Sequence, residues 1–143
     1  MARAARERQR GTFPPTVVLF RVMLKTSEGR PQVGAEDNML GARIGVDVKP
    51  DEAGRVHPAK GGMSVTPNDA KKLPRHLRPV SLGGNGRLPL FRMPADVLGN
   101  ALRYRPDPRR PDAHGLVEPA TAVPIAEYQG ALAQTEPRWK EAP

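Results

Sequence analysis

Thr16 to Leu24 reads TVVLFRVML, a β-branched and aliphatic run with Pro14 and Pro15 before it and the Ser27 to Pro31 turn cluster after it. The run is too short for a globular helix and has the composition of a buried strand, so it is the strand around which the rest of the chain must organise. Arg21 stands in its middle. A desolvated guanidinium costs several kcal/mol unless it is paired. Two placements answer that cost: an exposed face of an edge strand, or a strand that lines an anion pocket.

Downstream, Val33 to Leu40 has no clear period, and Ala42 to Val48, ARIGVDV, predicts a second short strand broken at Gly45. Pro50 to Gly54 is a turn. Arg55 to Thr66, RVHPAKGGMSVT, carries Gly61-Gly62, which permits a tight backbone path or close approach to a ligand, ahead of a strand-like MSV. Thr66 and Pro67 then match an N-cap and N1 pair for a short helix ending at Leu73. Pro74 to Pro89 offers only turn signals, a loop of functional length.

Leu88 to Met93 predicts a strand. Pro94 opens a helical turn with Val97, Leu98, Ala101 and Leu102 at apolar spacing, although Ala101 to Arg105 reads equally well as a strand. Pro106 to Pro111 is a charged loop, and Gly115 to Val117 is a short apolar strand meeting Glu118. A final helix from about Pro124 to Gln134 presents Ile125, Tyr128 and Leu132 on one face, Trp139 closes the core, and Glu141 to Pro143 frays. Strands and short helices interspersed without regular strand-helix crossovers place the chain in the α+β class.

The chain has 143 residues, which fits one domain, residues 15–143, behind a basic flexible arm, residues 1–14. Three Phe, two Tyr and one Trp against 17 Pro and 14 Gly predict a small aliphatic core and many turns. Lys and Arg outnumber Asp and Glu by 23 to 15, a net +8 that favours phosphate-bearing ligands or polyanions. Lys71 to Arg92 holds six basic residues and no acid. No apolar run reaches a membrane span, and Met1 to Arg10 carries arginines without the apolar stretch of a signal peptide. The expectation is a cytoplasmic protein with no membrane partner. The lack of cysteine excludes disulfides and thiolate chemistry and fits reducing and oxidising compartments equally.

His57, His76 and His114 lie in no metal-ligand spacing, so no metal is expected. Gly83 to Gly86 lacks the Lys and Ser/Thr of a phosphate-binding P-loop, no G-x-S-x-G elbow is present, and the acids are scattered through turns. What remains is an ordered set: Arg21 in the first strand, Ser64 after a double glycine, and Glu118 at the end of a late strand.

That order over roughly a hundred residues resembles ADP-ribosyltransferases. The local words LFR at Leu19 to Arg21, GGMSV at Gly61 to Val65 and HGLVEPA at His114 to Ala120 look like a family of type VI secretion effector toxins with an ADP-ribosyltransferase-like fold. The resemblance covers about Thr16 to Trp139. It implies a small split β-sheet with short flanking helices, NAD as cofactor, and antibacterial transfer of ADP-ribose to a macromolecular target in a recipient cell, or NAD cleavage there. Delivery by a route other than Sec, a monomeric state and an immunity protein as partner come with it. Leu116 stands where arginine-modifying enzymes carry the first acid of a Glu-x-Glu pair, so protein arginine is not the expected target.

On that resemblance Glu118, Arg21 and Ser64 are the catalytic set, and Arg21, Gly61, Gly62, Ser64 and His114 bind the cofactor. A carboxylate on a ribose hydroxyl stabilises the oxocarbenium that develops as nicotinamide leaves, which suits Glu118. Arg21 offers a fork of donors to ribose or pyrophosphate oxygens. Ser64 holds Glu118 or bonds the nicotinamide ribose, the two glycines admit the dinucleotide, and Met63 points into the core. Two readings from other classes compete: a nucleic-acid-binding module, motivated by the charge and the acid-free stretch, and a catalytically inert interaction domain.

Overall fold

The computed structural model describes residues 16–143, and the basic arm expected over residues 1–14 lies outside them. The chain is α+β, built on a six-stranded, mostly antiparallel sheet in the order β5-β6-β3-β1-β4-β8. Its strands are β1 Val18–Val22, β3 Met63–Pro67, β4 Leu90–Pro94, β5 Leu102–Pro106, β6 Gly115–Pro119 and β8 Lys140–Glu141. Arg55–Val56 (β2) and Val123–Pro124 (β7) pair separately, and β7 runs into α1, Ile125–Gln134, the one α-helix among the described residues. None of the helices is long and apolar enough to cross a membrane among the described residues.

Alternation along the strands divides the sheet into two faces. Leu19 and Met23, Met63 and Val65, Phe91 and Met93, and Val117 leave one face and pack with Tyr128 and Leu132 of α1 and with Trp139 in the main core. The other face is split in character. Val22 and Leu90 are covered there by Ala70 and Leu73, while Glu118 pairs across the β5–β6 ladder with Arg103. The Tyr128 hydroxyl accepts from the Met63 amide at 3.0 Å and donates to the Val117 carbonyl, so α1 pins β3 to β6. Burial raises the Tyr128 phenol well above its usual range, which keeps it a neutral donor.

β1 pairs with β4 at five positions but with β3 at only two, Leu19↔Pro67 and Phe20↔Thr66. Beyond Phe20 the two strands part, and Arg21 Nη1 donates to the Ser64 carbonyl of β3 at 2.7 Å in the gap. β1 therefore sits inside the sheet, and the edge-strand placement of Arg21 is wrong.

Three other expectations change. Ala42 to Val48 is a turn, because the Asp47 carboxylate accepts from the Arg43 amide and side chain and Gly45 takes φ +87°. The helix expected from Thr66 is instead the end of β3, where Thr66 is held in the ladder beside Phe20. Asn68 then turns the chain at φ +63°, and Asp69 caps a single 3-10 turn, Ala70–Lys72. The frayed end is partly ordered, since Lys140–Glu141 pairs with β4 and Glu141 meets Lys25 at 3.1 Å. Of the two readings of Ala101 to Arg105, the strand is the one formed.

Candidate functional site

The gap between β1 and β3 opens into a cavity of about 260 Å³. Phe20, Arg21, Ser64 and Thr66 line it from the sheet, and Leu73, Pro74 and Leu77 form an apolar wall contributed by the start of the long loop. Asp37, Arg43, Asp47, Arg110 and His114 supply its charged and titratable lining. The loop that carries Arg43 is fixed by α1, because the Gln129 side chain both accepts from the Ala42 amide at 2.9 Å and donates to the Ala42 carbonyl at 2.6 Å.

Arg21 is held by backbone. Nη1 meets the Ser64 carbonyl and Nη2 the Met39 carbonyl at 2.8 Å, while Nε is enclosed without a partner. Burial lowers its pKa to about 10, with Asp47 and Asp37 pulling the other way and Arg43 adding to the fall. It stays charged at neutral pH and makes no ion pair among the described residues. Arg43 is different: Asp47 receives it in a two-oxygen grip and Asp37 lies at 3.6 Å. The free positive charge of the cavity thus comes from Arg21 and from exposed Arg110, neither paired among the described residues.

His114 reaches the cavity from the end of the β5–β6 hairpin. Its Nδ1 lies 2.9 Å from Asp107 Oδ2 and its Nε2 3.4 Å from Ser64 Oγ. The Asp107 carboxyl is held below its usual value by the Arg109 amide and by His114. Asp107, Arg43 and Arg110 were not singled out from the sequence; the signal that marks Asp107 is an acid seven residues before a histidine across a predicted turn.

Glu118 does not line this cavity. It is fully buried, and four donors close on it. Oε1 accepts from Arg105 Nε at 2.7 Å and the Ala59 amide at 3.0 Å, and Oε2 from Arg103 Nη2 at 2.6 Å and Nε at 2.9 Å. Burial pushes its carboxyl up, but the hydrogen bonds from Arg105, Ala59 and Arg103 outweigh that, and its pKa is lowered overall. The reason for its position is register: Leu116, not Glu118, faces Ser64 across the β3–β6 ladder. Ser64 accordingly meets His114 rather than Glu118.

Gly61 and Gly62 are also outside the cavity lining. A Cβ on Gly61, which takes φ +116°, would strike the Asp47 carbonyl, and one on Gly62 the Val117 carbonyl. The close approach these glycines permit is of backbone to backbone, and it brings the 47 turn and β6 against the start of β3. Arg21, Ser64 and His114 are therefore the members of the expected set that the structure brings together, and Glu118, Gly61 and Gly62 support them from behind. No protein-family model, curated protein or solved structure matches the chain.

Proposed function

We propose that the protein is an NAD-dependent toxin domain that transfers ADP-ribose to an intracellular target or cleaves NAD. The observation that carries the reading is the cavity in the β1–β3 gap. It is lined by a guanidinium without a carboxylate partner among the described residues, with a serine hydroxyl, an imidazole and an apolar wall around it. A buried cation that bonds only neutral carbonyls favours an anionic or strongly hydrogen-bonding ligand, and the apolar wall suits a pyridine ring. A volume of about 260 Å³ lies near the lower bound of small-molecule sites, roughly 300 Å³. It takes the nicotinamide-ribose end of a dinucleotide, with the phosphates toward Arg110 and the adenosine outside.

In this reading Arg21 binds ribose or pyrophosphate oxygen, and Ser64 and His114 address the nicotinamide ribose. Glu118 acts at a distance, fixing the 59–62 segment and the β5–β6 edge on which the site is built. The test is titration of the purified protein with NAD beside inducible expression in a bacterium, following growth and cellular NAD. NAD binding and growth arrest by the parent, both lost in Arg21→Ala, are expected; a parent that neither binds NAD nor arrests growth overturns the reading.

A further inference from the structure

The β5–β6 hairpin ends in a closed ring of hydrogen bonds. The Asp107 amide donates to the His114 carbonyl at 3.0 Å, the His114 amide donates to the Arg110 carbonyl at 3.0 Å, and the Arg109 amide donates to Asp107 Oδ1 at 2.9 Å. These bonds fix the backbone at both residues and the Asp107 carboxylate before the imidazole–carboxylate contact at 2.9 Å is counted. A hairpin staple needs no more than that. The His114 ring, however, continues past the hairpin to another strand, with Nε2 facing Ser64 Oγ at 3.4 Å in the wall of the cavity.

The chemistry of the two ring nitrogens follows from their partners. An ionised carboxylate only accepts hydrogen bonds, so Nδ1 of the neutral imidazole carries the proton and Nε2 presents its lone pair to the Ser64 hydroxyl and the cavity. The contact of 3.4 Å is longer than the roughly 2.6–3.2 Å of a working proton path, as such contacts commonly are before a ligand draws them in. Arg21, bound to the Ser64 carbonyl, places a positive charge beside the same residue.

We propose that Asp107, His114 and Ser64 form a proton relay whose acceptor, His114 Nε2, activates a neutral hydroxyl, of water or of an alcohol-bearing acceptor, for attack on the ribose bound in the cavity. The proposal rests on the NAD reading above and adds to it the class of nucleophile. The C1′–N bond to nicotinamide breaks with its electron pair on the pyridine nitrogen. The bond from C1′ to the hydroxyl oxygen forms, and the hydroxyl proton passes to Nε2, directly or through Ser64 Oγ, and then to solvent. His114 is the catalytic base and Asp107 is a positioning residue. An acceptor that is nucleophilic without losing a proton first gains nothing from such a base, so alcohols and water are the substrates it selects.

Nicotinamide release from labelled NAD by the purified full chain, in buffer and in bacterial lysate, tests the relay. His114→Ala is expected to lower kcat on the order of 10²-fold with a much smaller change in KM. Added imidazole should restore at least tenfold of that loss, which a hairpin staple cannot do. Asp107→Asn should lower kcat by a smaller factor, and His114→Gln, which keeps the volume, covers the case in which the alanine variant does not fold. Nitrogen-15 NMR of the neutral ring should find the proton on Nδ1. His114 variants that cleave NAD within about threefold of the parent, or a neutral ring protonated at Nε2, overturn the relay and leave NAD binding intact. A parent that neither binds nor cleaves NAD instead removes the function proposed above and, with its substrate, the relay.

Discussion

Arg21 and Glu118 are two enclosed charges on β1 and β6, the strands that flank β3 in one sheet, and they are treated in opposite ways. Glu118 has no exposure and both its oxygens are closed by two arginines and a backbone amide, so its charge is neutralised within the protein. Arg21 bonds two neutral carbonyls, keeps an unpartnered Nε and faces a cavity. A charge that the protein satisfies completely holds structure together; one that it leaves without a direct ion pair is available to a ligand. The difference redistributes the residues expected to do chemistry, moving Glu118 to the frame and leaving Arg21, Ser64 and His114 at the site.

The largest effect expected from this contrast is on stability. Glu118→Gln should destabilise the fold by roughly 2–4 kcal/mol, because it removes the counter-charge of Arg103 and Arg105 and weakens the anchor of Ala59, which sits at φ +66°. Arg21→Met should cost far less, since the lost bonds to two carbonyls are offset by removing a desolvated cation. Denaturant melts of the two variants measure this directly, and equal losses would erase the distinction between frame and site.

Acid separates the two charges in the same direction. Glu118 has a folded pKa below its unfolded value of 4.5, so its contribution to stability is present above that value and is lost as pH falls through the folded pKa. The parent should therefore lose stability below about pH 4.5 more steeply than Glu118→Gln. Comparing the two curves subtracts Asp51 and Asp107, whose carboxyls are also held low. Parallel curves would mean that Glu118 does not gain from its arginines.

On ligand binding the order reverses. Arg21→Lys should weaken NAD binding about tenfold while the protein stays folded, because a point charge cannot replace a fork that spans Ser64, Met39 and a ligand. Calorimetric titration reads it, and unchanged affinity would take Arg21 out of the site. The smallest effect belongs to the acid-free stretch, where Arg78 donates to the Lys71 carbonyl and is structural, but Arg75 and Arg87 are exposed. Neutralising Arg75 and Arg87 should lower NAD affinity only a few-fold at low salt and not at all near 0.5 M, where screening lengths shrink to about 4 Å. A large loss of nucleic-acid affinity in gel shift, unaffected by Arg21→Ala, would favour the nucleic-acid-binding alternative.

The strands carrying the site were legible because their apolar words are short and bounded by turn residues: Thr16 to Leu24 contains β1, MSV begins β3 and Gly115 to Val117 begins β6. The helix near Pro124 to Gln134 was legible from the spacing of Ile125, Tyr128 and Leu132. The turn at Arg43 to Asp47 was not, since apolar alternation with exposed Ile44 and Val46 imitates a strand when the bond from Asp47 to the Arg43 amide is unseen. Gly61 and Gly62 were recognisable as sites of close approach, but not what approaches them.

Composition and local pattern by themselves determined the α+β class, the apolar strands, the turn chemistry and an arginine that needs an answer for its charge. Only the tertiary structure decided what that answer is. Strand order placed Arg21 inside the sheet, and the early parting of β1 from β3 opened the cavity beside it. The β3–β6 register set Ser64 opposite Leu116, within reach of His114, and left Glu118 to Arg103 and Arg105. Those outcomes depend on pairing between segments tens of residues apart. Register sets which side chains share a face, and a shift of one residue would send Ser64 and Glu118 to the opposite side of the sheet.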